Sequence, residues 1–390
     1  MPTLGPILCV VGARPNFMKM APLLRAFAVE PKLPRALLVH TGQHYDHALN
    51  DQLFSDLGLP VPDVNLGVGS GSHAVQTAEV MKRFEPVLDA HQPSLVIVVG
   101  DVNSTLACSL VAAKKDVAIA HVEAGLRSFV RAMPEEINRV LTDQLADLLY
   151  TTERAAHDNL RREGIDPARA VFVGNLMIDS LYAALPKALP AREVLARAGV
   201  AWPGDNGDGR YGVVTLHRPS NVDQAEHLES ILQTLRRITA HLPLVWPMHP
   251  RTHASVERHG LQRLLADVPL AVIPAQGYLE MVGLMRPATL VLTDSGGVQE
   301  ETTALGVPCL TIRDNTERPI TIEQGTNTLV GRAPAAIEAA VADVLAHGGK
   351  RGRSPELWDG QTAPRIARHL AAWLTRSYGA SVAQAQAKTA

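Results

Sequence analysis

Aromatic side chains are scarce in this 390-residue chain: 6 Phe, 6 Tyr and 4 Trp make up only 4%. That is lean for a protein that grips its ligands by stacking. Cysteine is scarcer still. Cys9, Cys108 and Cys309 are odd in number and far apart, which excludes a disulfide framework and a Cys-rich zinc site. Charge of one sign is missing too, with 37 Lys+Arg against 39 Asp+Glu and no basic tract. A dedicated nucleic-acid or anionic-membrane binder needs a basic face to neutralise phosphates, so neither partner is expected. No apolar run approaches the roughly 18 residues of a membrane helix. The opening MPTLGPILCVVGARP carries no basic region before its short apolar run, so it reads as a buried strand and not as a signal peptide. The expectation is a cytoplasmic globular protein.

What is present is core material. The chain is 46% hydrophobic, and its length predicts two to three domains at roughly 150 residues each. Short apolar runs recur at 7–12, 36–42, 95–101, 117–125, 148–152 and 171–175, then at 211–217, 243–249, 269–274, 288–297, 307–312 and 327–331. They are apolar throughout and do not alternate, as suits strands buried on both faces of a parallel sheet. Helical patterns such as 103–115, 137–147 and 224–240 supply the crossovers. The fold class is therefore α/β, doubly wound, twice over. The turn-rich WPGDNGDGR before the strand at 211 marks a hinge. We place the first domain at 1–180, joined by an amphipathic helix at 362–376, and the second at 181–361, with a ligand cleft between them. The last ten residues, SVAQAQAKTA, are expected to fray.

Ligands of parallel α/β sheets bind at the carboxyl ends of the strands, and the unusual polar residues fall there. Arg14 and Lys19 follow the first run, Gln43 and His44 the second, Asp101 the third and Glu123 the fourth. Later, His217 and Arg218, then His249, then Asp294-Ser295-Gly296-Gly297 follow strands in the same way. A strand followed by Ser295-Gly296-Gly297 and a helix leaves backbone N–H groups free for a phosphate. No Walker sequence and no G-x-G-x-x-G accompany it, so NTPase and NAD readings lose their support. Arg14, Lys19 and Arg318 supply the cations a diphosphate requires, and Glu301 is placed to accept from ribose hydroxyls. Asp101, Glu123 and the Glu135-Glu136 pair form an acidic set; partial desolvation behind apolar strands prepares such carboxyls for proton transfer. Asp101 has the alternative of a helix cap. Glu135 and Glu136 follow Pro134 at a helix start, where the macrodipole alone favours carboxylates. His249 and His253 stand at i,i+4 without H-E-x-x-H or clustered Cys, so no metal is expected.

In order along residues 7–331, GARPNFMKMAPL, HTGQHYD, GDVNSTLA, HVEAGLRSF, MPEEINRVLTD, TLHRPSN, GYLEM, LTDSGGVQEET and NTERP followed by GTNTLVG resemble the non-hydrolysing UDP-N-acetylglucosamine 2-epimerases. The resemblance implies a GT-B fold, two Rossmann-like doubly wound domains with an interdomain cleft. It implies interconversion of UDP-N-acetylglucosamine and UDP-N-acetylmannosamine, no external cofactor, and a homodimer. Arg14, Lys19 and Arg318 match the family's nucleotide-sugar binders, Ser295, Gly296 and Gly297 its phosphate loop, Glu301 its ribose contact and Gln276 its uracil contact. Asp101, Glu123, Glu135 and His217 match its catalytic positions. Gln43, His44, Arg218 and His249 resemble a second, regulatory site where UDP-sugar acts as an allosteric activator. The chain departs from some members at Ile320, where they carry Glu, and at Met281, where they carry Phe.

Overall fold

Runs such as ILCVV and LVIVV leave no polar face to turn toward water, so the strands they form must be covered on both sides. A computed structural model describes residues 4–43, 53–201 and 209–389 and shows that arrangement twice. The chain divides into two compact units, Met1–Ser180 with Glu356–Ala390, and Leu181–Pro355.

The first unit holds seven parallel strands: β1 (Ile7–Val11), β2 (Ala36–His40), β3 (Val64–Asn65), β4 (Leu95–Val99), β5 (Ile119–Ala124), β6 (Leu148–Thr151) and β7 (Ala170–Phe172). Their order is β3-β2-β1-β4-β5-β6-β7. The chain runs outward from β1 in one direction, then returns to β4 and runs outward in the other. That reversal is the topological switch point, where the loops leaving β1 and β4 part and open a crevice. Leu8, Val10, Val96, Val98, Phe84 and Val111 pack one side of the sheet as a continuous core. Helix Thr362–Thr389 returns to this unit; its first turn is anchored by Asp179, which accepts from the backbone N–H of Thr362 (3.1 Å) and Ala363 (2.7 Å). The segment expected to fray continues this helix as far as Thr389.

The second unit repeats the design with β8 (Gly212–Thr215), β9 (Leu244–Met248), β10 (Leu270–Pro274), β11 (Leu290–Thr293), β12 (Cys309–Thr311) and β13 (Asn327–Leu329). The order β10-β9-β8-β11-β12-β13 puts the switch point between β8 and β11. Separate cores cover its two faces, one around Trp246, Leu228 and Leu292, the other around Tyr211, Val245 and Leu284.

Candidate functional site

Each switch point gathers polar residues, and the first unit shows how. Asn16 stands near the start of helix Arg14–Val29, which Arg14 opens. Its side-chain oxygen accepts from Gly12 and Ala13 N–H (3.1 and 3.0 Å), and its amide donates to the Val99 carbonyl (2.9 Å). The turn after β1 is thereby fastened to the end of β4. There Gly100 adopts φ +68°, a conformation side-chain-bearing residues rarely take, and a Cβ would lie 3.5 Å from the Lys19 ammonium. Lys19 and Glu123 form an ion pair with both side chains about 5% exposed. Glu123 itself has φ +71° at a register shift between β5 and β6. A bulge of this kind re-aims a side chain, and the strain is tolerated where the surroundings fix it.

The other carboxylates separate into two sorts. Asp101 pairs with Arg139 and its carbonyl accepts from Asn138 (2.9 Å). Glu136 is buried and fully occupied, accepting from Ser128 N–H (2.9 Å), Ser128 hydroxyl (3.0 Å), Phe129 N–H (2.9 Å) and Arg139 (2.7 Å). It knits a loop to the start of helix Pro134–Leu145. Glu135, beside it, is half-buried, and among the described residues it makes no hydrogen bond or ion pair. Gln43 is buried at the end of β2; its side-chain oxygen is taken up by Ser104 N–H (3.1 Å) and hydroxyl (2.7 Å). His44 lies outside the described residues.

In the second unit, β8 and β11 end side by side, and Asp294 organises the junction. Fully buried, it accepts from the backbone N–H of His217 (3.1 Å) and Arg218 (2.9 Å) and from the Asn221 amide (3.0 Å), with His217 Nδ1 at 3.2 Å. Burial pushes its carboxyl up, but these donors, His217 foremost, outweigh that and hold it below the usual carboxylate range. The His217 Nδ1 side is thus committed, which leaves Nε2 as its outward nitrogen. His249 packs 5.7 Å from His217, ring centre to ring centre, and its Nδ1 caps the next helix by accepting from Arg251 N–H (3.1 Å).

Ser295 is the N-cap of helix Gly296–Leu305. Beside that turn lies a cationic cluster built on Glu317, which pairs with Arg313 (2.9 Å), Arg318 (2.8 Å) and Arg218 (3.7 Å). Arg318 also reaches Glu300 (3.0 Å). Burial acts to raise the Glu317 carboxyl, yet Arg318, Arg313 and Arg218 together drive it far below its ordinary value. A Cβ on Gly296 would meet the Glu317 carboxylate at 2.9 Å and the Arg318 guanidinium at 3.1 Å. Glu301 is buried beside Tyr278 and Glu300, and desolvation above all pushes its carboxyl up to about 8. Gln276 donates to the Pro274 carbonyl within its own turn (2.7 Å).

Of the expected residues, Lys19 and Glu123 are brought into contact, His217 and His249 stand together, and Arg218 and Arg318 share one carboxylate partner. Arg139, Glu300, Glu317 and the anchoring role of Asp294 were not anticipated. Asp294 offered a signal, an Asp straight after an apolar run; Arg139 and Glu317 offered none, since their partners are remote or part of a cluster.

Two doubly wound parallel sheets, each with polar groups at its switch point and one with an anion-ready turn, define a two-unit α/β protein of the GT-B class. Known proteins narrow this. The family model described as UDP-N-acetylglucosamine 2-epimerase matches residues 30–371. The UDP-N-acetylglucosamine 2-epimerase of Methanocaldococcus jannaschii is 40% identical over 93% of this chain and 97% of its own. The UDP-2,3-diacetamido-2,3-dideoxy-D-glucuronate 2-epimerase of Pseudomonas aeruginosa is also 40% identical, over 94% and 99%. A crystal structure of the M. jannaschii UDP-GlcNAc 2-epimerase in complex with UDP-GlcNAc and UDP matches with a TM-score of 0.84 at 38% identity, covering 94% of this chain and 99% of that one. The chain belongs to the UDP-N-acetylglucosamine 2-epimerase family.

Proposed function

We propose that this protein interconverts UDP-N-acetylglucosamine and UDP-N-acetylmannosamine by reversible inversion at C2. Family membership over most of the chain carries the reading. The buried Lys19–Glu123 pair, with Asp101 on the adjacent strand end, supports the chemistry.

C2 has no acidic proton, because C1 is an acetal-type carbon and not a carbonyl. Breaking the C1–O bond builds oxocarbenium character at C1 and acidifies C2–H. The bonding pair leaves with the phosphate oxygen of UDP, a carboxylate takes the C2 proton, and the C–H pair becomes the C1=C2 bond of 2-acetamidoglucal. Re-addition of UDP with a proton delivered from the opposite face gives the epimer. Two faces require two acid/base groups, which we assign among Asp101, Glu123 and Glu135. Lys19, beside Glu123, offsets the charge of a carboxylate that must face a developing cation without being neutralised by it. His217, held by Asp294, donates to the departing phosphate. Arg14, Arg318 and the Ser295-Gly296-Gly297 turn hold UDP during its release, with Glu301 and Gln276 on the nucleoside. All of this proceeds without an external cofactor.

A less supported alternative is the same inversion on a more decorated UDP-sugar, the substrate for which the 40% identical diacetamido-glucuronate epimerase is named. Turnover of the two UDP-sugars by the purified chain decides between them. A retaining glycosyltransferase of the same fold would need an acceptor, whereas epimerisation consumes UDP-sugar alone. By the same resemblance we infer a cytoplasmic homodimer with a regulatory UDP-sugar site at Gln43, His44, Arg218 and His249. Sedimentation, and UDP-sugar saturation curves of His249→Ala, test those points.

A further inference from the structure

Two-faced proton transfer at one carbon demands carboxylates whose spacing does not drift. Asp101 lies in the turn after β4, Glu123 in β5 and Glu135 in helix Pro134–Leu145, and one buried side chain of β5 is hydrogen-bonded to the other two segments. His121 lies on β5, two residues before Glu123. Its Nε2 is 2.8 Å from the carbonyl oxygen of Gly100, the residue before Asp101. Its Nδ1 is 2.6 Å from Asp143, on the helix whose second residue is Glu135. The other Asp143 oxygen accepts from Gly125 N–H (3.0 Å), just beyond Glu123, and from Arg127 (2.7 Å), which continues to Glu163 (2.6 Å). Both partners of the ring, the Asp143 carboxylate and the Gly100 carbonyl, are acceptors, so the imidazole spans two fixed points. Burial alone pushes Asp143 up, but His121 and Arg127 outweigh it and hold this carboxyl below its usual range.

We propose that His121, with Asp143, is a positioning residue that sets the mutual placement of Asp101, Glu123 and Glu135. The inference rests on the epimerase reading above. Both side chains are fully buried and act only through their neighbours. Well-packed apolar residues would join these elements at least as stably as buried ionic groups do. What an apolar core lacks is direction: the imidazole fixes the Gly100 carbonyl, and so the turn into Asp101, at one angle to the strand that carries Glu123.

The test compares His121→Gln, Asp143→Asn, the double variant and Arg127→Gln with the wild-type chain in heavy water. Readouts are kcat, KM, thermal stability, and the ratio of C2 deuterium in recovered substrate to that in product. His121→Gln should lose roughly 10- to 100-fold in kcat, the scale of a misplaced reacting group, with KM little changed and the deuterium ratio shifted. Asp143→Asn should behave alike, and the double variant should be no worse than either single one, as for groups acting as a unit. Arg127→Gln breaks the same network beyond Asp143; it should lower thermal stability yet keep the wild-type ratio. Should His121→Gln fail to fold, the isosteric Asp143→Asn carries the test. Wild-type kcat and ratio in both variants would overturn the proposal, as would an Arg127→Gln that loses kcat and ratio equally. A wild-type chain that exchanges no C2 deuterium overturns the epimerase reading and this inference with it.

Discussion

Lys19 and Glu123 face each other as a buried ion pair, contributed by the helix after β1 and by a left-handed residue at the end of β5. Neither charge is left alone away from water, as a pair at this depth requires. Removing one partner strands the other. Lys19→Met should cost about 3–5 kcal/mol of stability and lower kcat as well, whereas Lys19→Met with Glu123→Leu should recover stability but not turnover. Urea denaturation beside steady-state assays checks this; recovered turnover in the double variant would contradict the assignment.

Asp101→Asn, Glu123→Gln and His217→Asn should each cut turnover by at least ~100-fold, the usual scale for losing an acid/base group. Glu136→Gln should instead act through folding, because Glu136 is spent on the Ser128–Phe129 loop and Arg139. Near-native rates in all three of the first set would remove the proposed site.

Asp294 accepts from two backbone N–H groups, Asn221 and His217 together. Asp294→Asn turns one acceptor oxygen into a donor facing donors. We expect a loss of roughly 1–3 kcal/mol in stability, with kcat falling more than KM rises, as His217 loses its fixed orientation. A change confined to KM would argue against that role.

Gly296→Ala places a methyl against Glu317 and Arg318. It should weaken UDP binding, read by calorimetry, while a fold monitored by circular dichroism stays intact. Unchanged UDP affinity would move the diphosphate away from this turn.

Glu301 gives a pH dependence with a definite sign. Its carboxyl is raised from an ordinary 4.5 to about 8 in the folded protein, chiefly by burial, with Tyr278 opposing and Glu300 adding. The unfolded chain therefore releases this proton first. Its stabilising contribution is complete below about pH 4.5, falls as pH rises, and is gone once pH passes about 8. Glu301→Gln should flatten the fall across this window by on the order of a few kcal/mol. Denaturant midpoints measured across it would run parallel in the two proteins if the account were wrong.

The α/β alternation was legible because strands buried on both faces write themselves as unbroken apolar runs. β3 escaped notice, since two residues, Val64 and Asn65, carry no pattern. Several runs read as strand overshot, as at 288–297 against Leu290–Thr293, because the polar residues closing them belong to the turn. Residue types at strand ends were equally visible. Their pairing was not: Glu135 and Glu136 are neighbours in sequence with opposite fates, one knotted into a loop and one half-exposed. Contacts such as Asn16 with Val99, or His121 with both Gly100 and Asp143, exist only once the sheet order brings distant segments side by side.

Inversion at C2 through elimination and re-addition of UDP requires the C2 proton to exchange with solvent. The most direct measurement incubates the purified chain with UDP-N-acetylglucosamine alone in heavy water and follows the anomeric and C2 proton signals by NMR. UDP-N-acetylmannosamine should appear, with deuterium at its C2 position. An unchanged UDP-sugar, or an epimer that keeps its original C2 proton, would contradict this route.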